Sequence, residues 1–228
     1  MSQIEFKNVS KKYGQDSVAL EEVSFGINDG EFVFLVGPSG AGKSTLVKLL
    51  IREILPSSGV VLFNDRDVGL IPQVELPSLR RKIGVVFQDF KVLKSKNVFE
   101  NVAIALEVAD SSDETIGNVV PNVLGLVGLS DKTERFPSQL SGGELQRLSI
   151  ARALAHEPDV LIADEPTGMI DPGSSAEVMQ VLDKINSLGT TVLMATHDFS
   201  IVDRMKRRVI RVENGRVISD KNEGKYNG

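Results

Sequence analysis

The 228-residue sequence contains no cysteine, which excludes disulfides, zinc-thiolate sites and thiol catalysis and agrees with a reducing compartment. It also lacks an excess of positive charge, since 31 acidic residues against 26 Lys and Arg give a formal net charge of -5. No global basic field exists to hold a polyanion, so nucleic acid is a poor default partner. No segment reaches the roughly 18 consecutive apolar residues of a membrane span. Met1-Ser2-Gln3-Ile4-Glu5 has no charged region followed by an apolar stretch. The expectation is a soluble, unexported chain with no transmembrane segment of its own. Internal repeats, sustained heptads and low-complexity tracts are missing as well. The length suits one α/β domain with a subdomain, or two small domains, with a full core.

What is present begins with Gly37-Pro38-Ser39-Gly40-Ala41-Gly42-Lys43-Ser44, which directly follows the apolar run Phe32-Val33-Phe34-Leu35-Val36. An apolar run bounded by glycines reads as a strand buried on both faces of a parallel sheet, and Ser44-Thr45 opens the helix that follows through Leu50. Strand, glycine loop and helix in this order make a phosphate-binding loop. The glycines let successive N–H groups and the helix N-terminus face phosphate oxygens, Lys43 supplies a point charge, and Ser44 offers an oxygen to Mg²⁺.

Ile4–Val9 and Val18–Phe25 alternate partially and predict antiparallel strands of a small side sheet. Further strands are predicted at Val60–Phe63, Ile83–Phe87, Val160–Asp164 and Thr191–Thr196. A helical pattern from Ser174 to Asn186 between the last two gives a βαβ rhythm. From Val98 to Gly128, Val98, Val102, Ala105, Leu106, Val119, Val123, Leu124 and Val127 recur at helical spacing around a polar break at Asp110-Ser111-Ser112-Asp113, which predicts a helical insertion. Asn214-Gly215 between β-prone flanks predicts a hairpin over Val209–Ile218. The tail after Asp220 reads as mobile.

Two further segments carry chemistry. Val160-Leu161-Ile162-Ala163-Asp164-Glu165 ends an apolar strand on adjacent carboxylates, the pattern of a Walker B element: Asp164 to orient a Mg²⁺ shell, Glu165 to polarise an attacking water. Strand-end acids that only face solvent are the alternative. In Leu140-Ser141-Gly142-Gly143-Glu144, followed by a helical run to Leu154, a hydroxyl and two glycine amides at a helix start can form a second phosphate cradle.

This second cradle resembles the signature motif of the ATP-binding cassette family, and the likeness spans nearly the whole chain. It implies an α/β fold with a phosphate-loop (RecA-like) core and mostly parallel sheet, an antiparallel β side sheet and an inserted helical subdomain. The chain would be a single nucleotide-binding domain over 1–228, with 1–93 and 156–228 as core and 94–155 as helical subdomain. The resemblance implies ATP and Mg²⁺ as cofactors and a head-to-tail homodimer formed on ATP binding, in which Ser141, Gly142 and Gly143 of one copy close over the nucleotide held by Gly37 to Thr45 of the other. It further implies Tyr13 stacked on adenine, Gln88 near Mg²⁺ and water, Asp171 in the loop crossing the dimer, and His197 at the γ-phosphate. Singly, Tyr13 reads as a half-buried aromatic, and Gln88 and His197 as polar strand-end groups. His156 lies outside every motif and reads as an exposed helix-end residue.

The implied reaction is ATP hydrolysis by positioning and charge stabilisation, with Lys43, Glu165, His197 and Gln88 catalytic and Ser44, Asp164 and Gln88 around the metal. Asp164-Glu165-Pro166-Thr167-Gly168 resembles the branch holding lipoprotein-release, macrolide-export and cell-division ATPases, and the segments around Phe87-Gln88-Asp89-Phe90 resemble its cell-division members. That subgroup implies an integral membrane partner, docked near Phe90, Val92 and Leu93, with the chain peripheral on the inner face of the plasma membrane. An exporter ATPase is the alternative. A DNA-repair-type head is disfavoured because the chain from Ser44 to Leu140 has no coiled coil, and a scaffold without turnover because Glu165, Gln88 and His197 are retained. Met169-Ile170 before Asp171 and Leu145 after the signature depart from the family pattern. The clusters Arg80-Arg81-Lys82 and Arg204 to Arg208 suit either anionic lipid or a solvated face.

Overall fold

The computed structural model describes residues 2–14 and 17–225. Tertiary contacts divide the chain into two compact units, residues 1–80 with 189–228, and residues 81–188.

The first unit opens with β1 (Ser2–Tyr13) and β2 (Ser17–Asn28), antiparallel to each other; β1 pairs on its other edge with β4 (Ser58–Phe63), which carries the short β5 (Arg66–Asp67). The partial alternation of the sequence has a physical source. The register shifts between Phe6 and Val9, and Asn8 and Glu22 there adopt left-handed backbone, so bulges bring Phe6 and Val9 both inward. Phe6 stacks on Phe25 with ring centroids 4.7 Å apart.

Beside this side sheet, β3 (Phe32–Val36) lies parallel to both β8 (Thr191–Thr196) and β9 (Arg208–Glu213). All five β3 residues are buried, as expected of a strand covered on both faces, each contributing on the order of 1.5–3 kcal/mol. α1 (Lys43–Leu50) follows it, and α7 (Phe199–Met205) follows β8. β10 (Arg216–Lys221) returns antiparallel on β9 through Asn214 and Gly215, both at positive φ, the hairpin read from the Asn-Gly pair. The tail remains attached beyond Asp220, because the Gly224 amide donates to the Arg207 carbonyl at 3.1 Å; its last part, 226–228, lies outside the described residues.

The second unit holds β6 (Ile83–Val86) parallel to β7 (Val160–Asp164), with α3 (Val98–Glu107), α4 (Asp113–Leu126), α5 (Gly142–Leu154) and α6 (Pro172–Ser187). The predicted helical insertion is α3 and α4, and the polar break between them supplies Ser112 as the N-cap of α4. Asn97 and Glu100 close a capping box on α3. α5 packs on α3, α4 and α6. α2 (Leu76–Arg81) sits at the junction of the two ranges.

One reading is corrected. His156 is half-buried, not exposed: its ring donates to the Ala105 carbonyl, and burial, reinforced by the Arg81 charge, holds its pKa below the ordinary histidine value. In the basic clusters Arg80, Arg81, Lys82, Arg204 and Lys206 are exposed, as a solvated face requires, and some of their members also make bonds within the fold. Arg80 donates to the Ile51 and Arg52 carbonyls at 3.1 and 3.2 Å, closing the C-terminal end of α1. Arg208 is forked onto Asp220 and bonded to Glu31, and Arg207 lies over the Phe32 ring.

Candidate functional site

Phosphate-loop residues Gly37 to Thr45 span the turn from β3 into α1. Gly37 is buried with φ 150, and a Cβ there would stand 2.0 Å from the Val212 carbonyl oxygen; only glycine lets the loop run this close to β9. The hairpin turn reinforces it, with the Gly215 amide donating to the Ala41 carbonyl at 3.1 Å and its own carbonyl accepting from Glu21. Pro38, Ser39 and Gly40 are exposed at the loop crest, and Ala41 is buried.

Lys43 opens α1 and is buried, with its Nζ donating to the carbonyls of Gly37 at 2.7 Å and Pro38 at 3.2 Å. The loop thus curls around its own ammonium. Gly42 is the N-cap and brings no side-chain cap to the helix start. Ser44 is exposed beside it and Thr45 half-buried. Amides at a helix start, a hydroxyl and a lysine are the donor set that fits a magnesium-bound phosphate chain.

Also in the first unit, Tyr13 ends β1 with its ring 44% exposed and the Lys11 ammonium 5.2 Å from the ring centroid. One face therefore already carries a cation. His197 follows β8 and is exposed; Asp198, immediately after it, caps α7 by accepting from Ser200 and Ile201.

In the second unit, Asp164 ends β7 and Glu165 takes a left-handed backbone, φ 51, so the chain turns sharply between the two half-buried carboxylates. A non-glycine residue in that region is the kind of local strain that accumulates at working sites. The Gly168 amide donates back to the Glu165 carbonyl at 3.1 Å, and Gln88 Nε2 lies 3.0 Å from where a Gly168 Cβ would stand. Gln88 is thereby held against the turn that carries Glu165. Just beyond Gln88, Phe90 and Lys91 are both left-handed, and Arg152 of α5 donates to the Phe90 carbonyl at 3.4 Å.

Ser141 is the N-cap of α5 and forms a capping box with Glu144, its hydroxyl accepting from the Glu144 amide at 3.3 Å. Lys132 binds Glu144 from outside. The lysine contact first, then the Ser141 amide, hold the Glu144 carboxyl down to about 2. Gly142 and Gly143 form the first turn of α5 and face the segment Met169 to Ser174. Asp171 caps α6, accepting from the Gly173 and Ser174 amides, each at 3.0 Å, and from the Ser174 hydroxyl at 2.6 Å. Its carboxylate is thus engaged within its own chain. Met169 stands exposed, Ile170 rests near Gly142, and Leu145 is half-buried.

Several residues that shape these loops escaped the sequence reading. Asn101 is fully buried; it accepts from the Leu93 amide and donates to the carbonyls of Leu93, Lys96 and Asn97, fixing the loop that holds the exposed Leu93 and the half-buried Val92. Its only signal is an amide placed on an otherwise apolar helical stripe. The contact of Gly215 with the phosphate loop and that of Ser174 with Gly143 join segments distant in sequence and leave no local signal.

Known proteins place these features in context. The ABC transporter family matches residues 20–168. The Cell division ATP-binding protein FtsE of Bacillus subtilis is 53% identical over 98% of this chain and 98% of its own length. That of Escherichia coli K12 is 45% identical over 93% of this chain and 96% of its own. A solved dimeric, post-hydrolysis ATP-binding cassette bound to ADP and Pi superposes with a TM-score of 0.85 at 34% identity, covering 99% of both chains.

Proposed function

The chain belongs to the ABC transporter family, and from that premise we propose that it is the ATP-hydrolysing subunit of a cell-division ABC complex. It works as a homodimer that closes on ATP and couples closure to an FtsX-type membrane partner controlling cell-wall hydrolysis. The observation that carries this reading is a buried lysine inside a glycine loop, in a chain similar to FtsE over nearly its full length. Among the described residues no helix is long and apolar enough to cross a membrane, so membrane association at the inner face runs through that partner. The solved dimeric cassette supports the homodimer. The same full-length likeness favours cell division over lipoprotein or macrolide export.

In the proposed mechanism Tyr13 offers its open face to adenine, and the loop amides with Lys43 take the β- and γ-phosphate oxygens. The Lys43 ammonium, now bonded to Gly37 and Pro38, turns toward this charge. Mg²⁺ would be held by Ser44, Asp164 and Gln88, and supplies neutralisation of charge on the phosphate oxygens. Glu165 accepts the proton of the attacking water, and Gln88 orients that water. His197 stabilises the charge spread over the transferring group. Ser141, Gly142 and Gly143 of the second copy complete each pocket, with Asp171 near the crossing point.

The test is co-expression with a four-span FtsX-type membrane protein, followed by purification of the pair and assay of ATP turnover with and without the partner. Co-purification with partner-dependent turnover is expected. Stable association with an exporter subunit and none with the FtsX-type protein would sink the cell-division reading while leaving the ATPase intact.

A further inference from the structure

Gln146 is fully buried, yet neither amide atom has a hydrogen-bond partner among the described protein groups. A primary amide carries two donors and an acceptor, and burying them unpaired is costly where Leu or Met would pack without penalty. The position therefore calls for an explanation other than stability.

Its place in the fold supplies one. A Cβ built on Gly142 would meet Ile170 Cγ2 at 3.3 Å and the Met169 carbonyl oxygen at 3.7 Å, while one on Gly143 would meet Ser174 Cβ at 2.5 Å. That face of α5 is covered by the segment 169–174, and Gln146 lies three and four residues further along it. Helical side chains lean toward the preceding turn, so the Gln146 amide reaches back toward Gly142 and Gly143, under the loop leading from Glu165 to Asp171. That loop is rich in backbone donors and acceptors.

We propose that Gln146 is a positioning residue: in the nucleotide-closed dimer its amide bonds the backbone of the Thr167–Asp171 loop and fixes that loop on the signature helix. In the form described above the amide is buried without its partner, and closure of the dimer makes the bond. The inference rests on the ATPase reading, and it assigns a function to a fully buried side chain of the signature helix.

The test uses the full chain with Gln146→Met, and Gln146→Leu as a second apolar replacement. Three quantities are measured for each: the melting temperature without nucleotide, monomer affinity for a fluorescent ATP analogue, and dimer affinity with Mg²⁺ and adenylyl imidodiphosphate by sedimentation equilibrium. The expected result is a melting temperature raised by roughly 2–4 °C, unchanged nucleotide affinity, and dimer affinity reduced about 10-fold. A lowered melting temperature or loss of folding in both variants would overturn the proposal, because Gln146 would then be satisfied before closure, for instance by bound water. Unchanged dimer affinity would overturn it equally. If the unmodified protein neither binds the analogue nor dimerises, the fault lies with the ATPase reading instead.

Discussion

The Ser174 Cβ lies 2.5 Å from where a Cβ on Gly143 would stand, and the Ser174 hydroxyl lies 2.6 Å from the same point. The second signature glycine and the first turn of α6 therefore share one space, and Asp171 holds that turn in place by accepting from Ser174. An added methyl has to displace α6 or α5, since the obstructing atoms sit at the root of the side chain. Gly143→Ala should lower stability by about 1–3 kcal/mol and weaken dimerisation on ATP, with nucleotide affinity of the monomer unchanged. Urea denaturation gives the first quantity and sedimentation the second. Ser174→Gly should cost less in the Gly143→Ala background than in the parent; losses that simply add would show that the two sites act independently.

Glu144 ties the start of the signature helix to Lys132. Its carboxyl titrates at about 2, below the usual 4.5, with the lysine as the largest cause. A depressed carboxylate contributes stability in full above its unfolded value and loses it as pH falls through the folded one. The contribution should therefore be complete near pH 6 and fade between about pH 4.5 and pH 2. Melting curves of the parent and of Glu144→Gln should differ most near neutrality and converge toward acid. A constant difference across that window would remove Glu144 as the source.

Glu165→Gln keeps the shape of the side chain and removes its basicity. Hydrolysis should fall to a small fraction of the parent rate with ATP binding retained, so that ATP traps a dimer detectable by light scattering. Rapid turnover by this variant would take the general-base role away from Glu165.

For His197→Ala, the loss of one group stabilising developing charge is expected to lower kcat roughly 10²–10³-fold. KM for ATP should change far less, because ground-state contacts stay with the phosphate loop. Steady-state kinetics with a phosphate-release assay separates the two, and a rise in KM with kcat preserved would make His197 a binding residue.

Much of this was readable in the sequence, for identifiable reasons. β3, β7 and β8 are short apolar runs bounded by turn residues, so burial alone predicts them, and Asn214-Gly215 encodes its hairpin locally. The edges of β1 and β2 were blurred by bulges at Asn8 and Glu22, which break the period of two that strand reading depends on. The half-burial of His156 and the bonds of Arg80 to the end of α1 are not legible in the sequence, because the groups they meet are far away along the chain. Ser141 reads as a candidate phosphate ligand, and its part in a capping box went unread, though Ser-x-x-Glu spells one. Gln146 gave no sign at all, since a glutamine on a helix ordinarily faces water.

The lysine wrapped by the carbonyls of Gly37 and Pro38 bears on what happens between turnovers. An ammonium supplied with internal acceptors does not repel its neighbours once product leaves, so the loop has no reason to unravel while awaiting fuel. Recharging is then an exchange of partners on a standing scaffold.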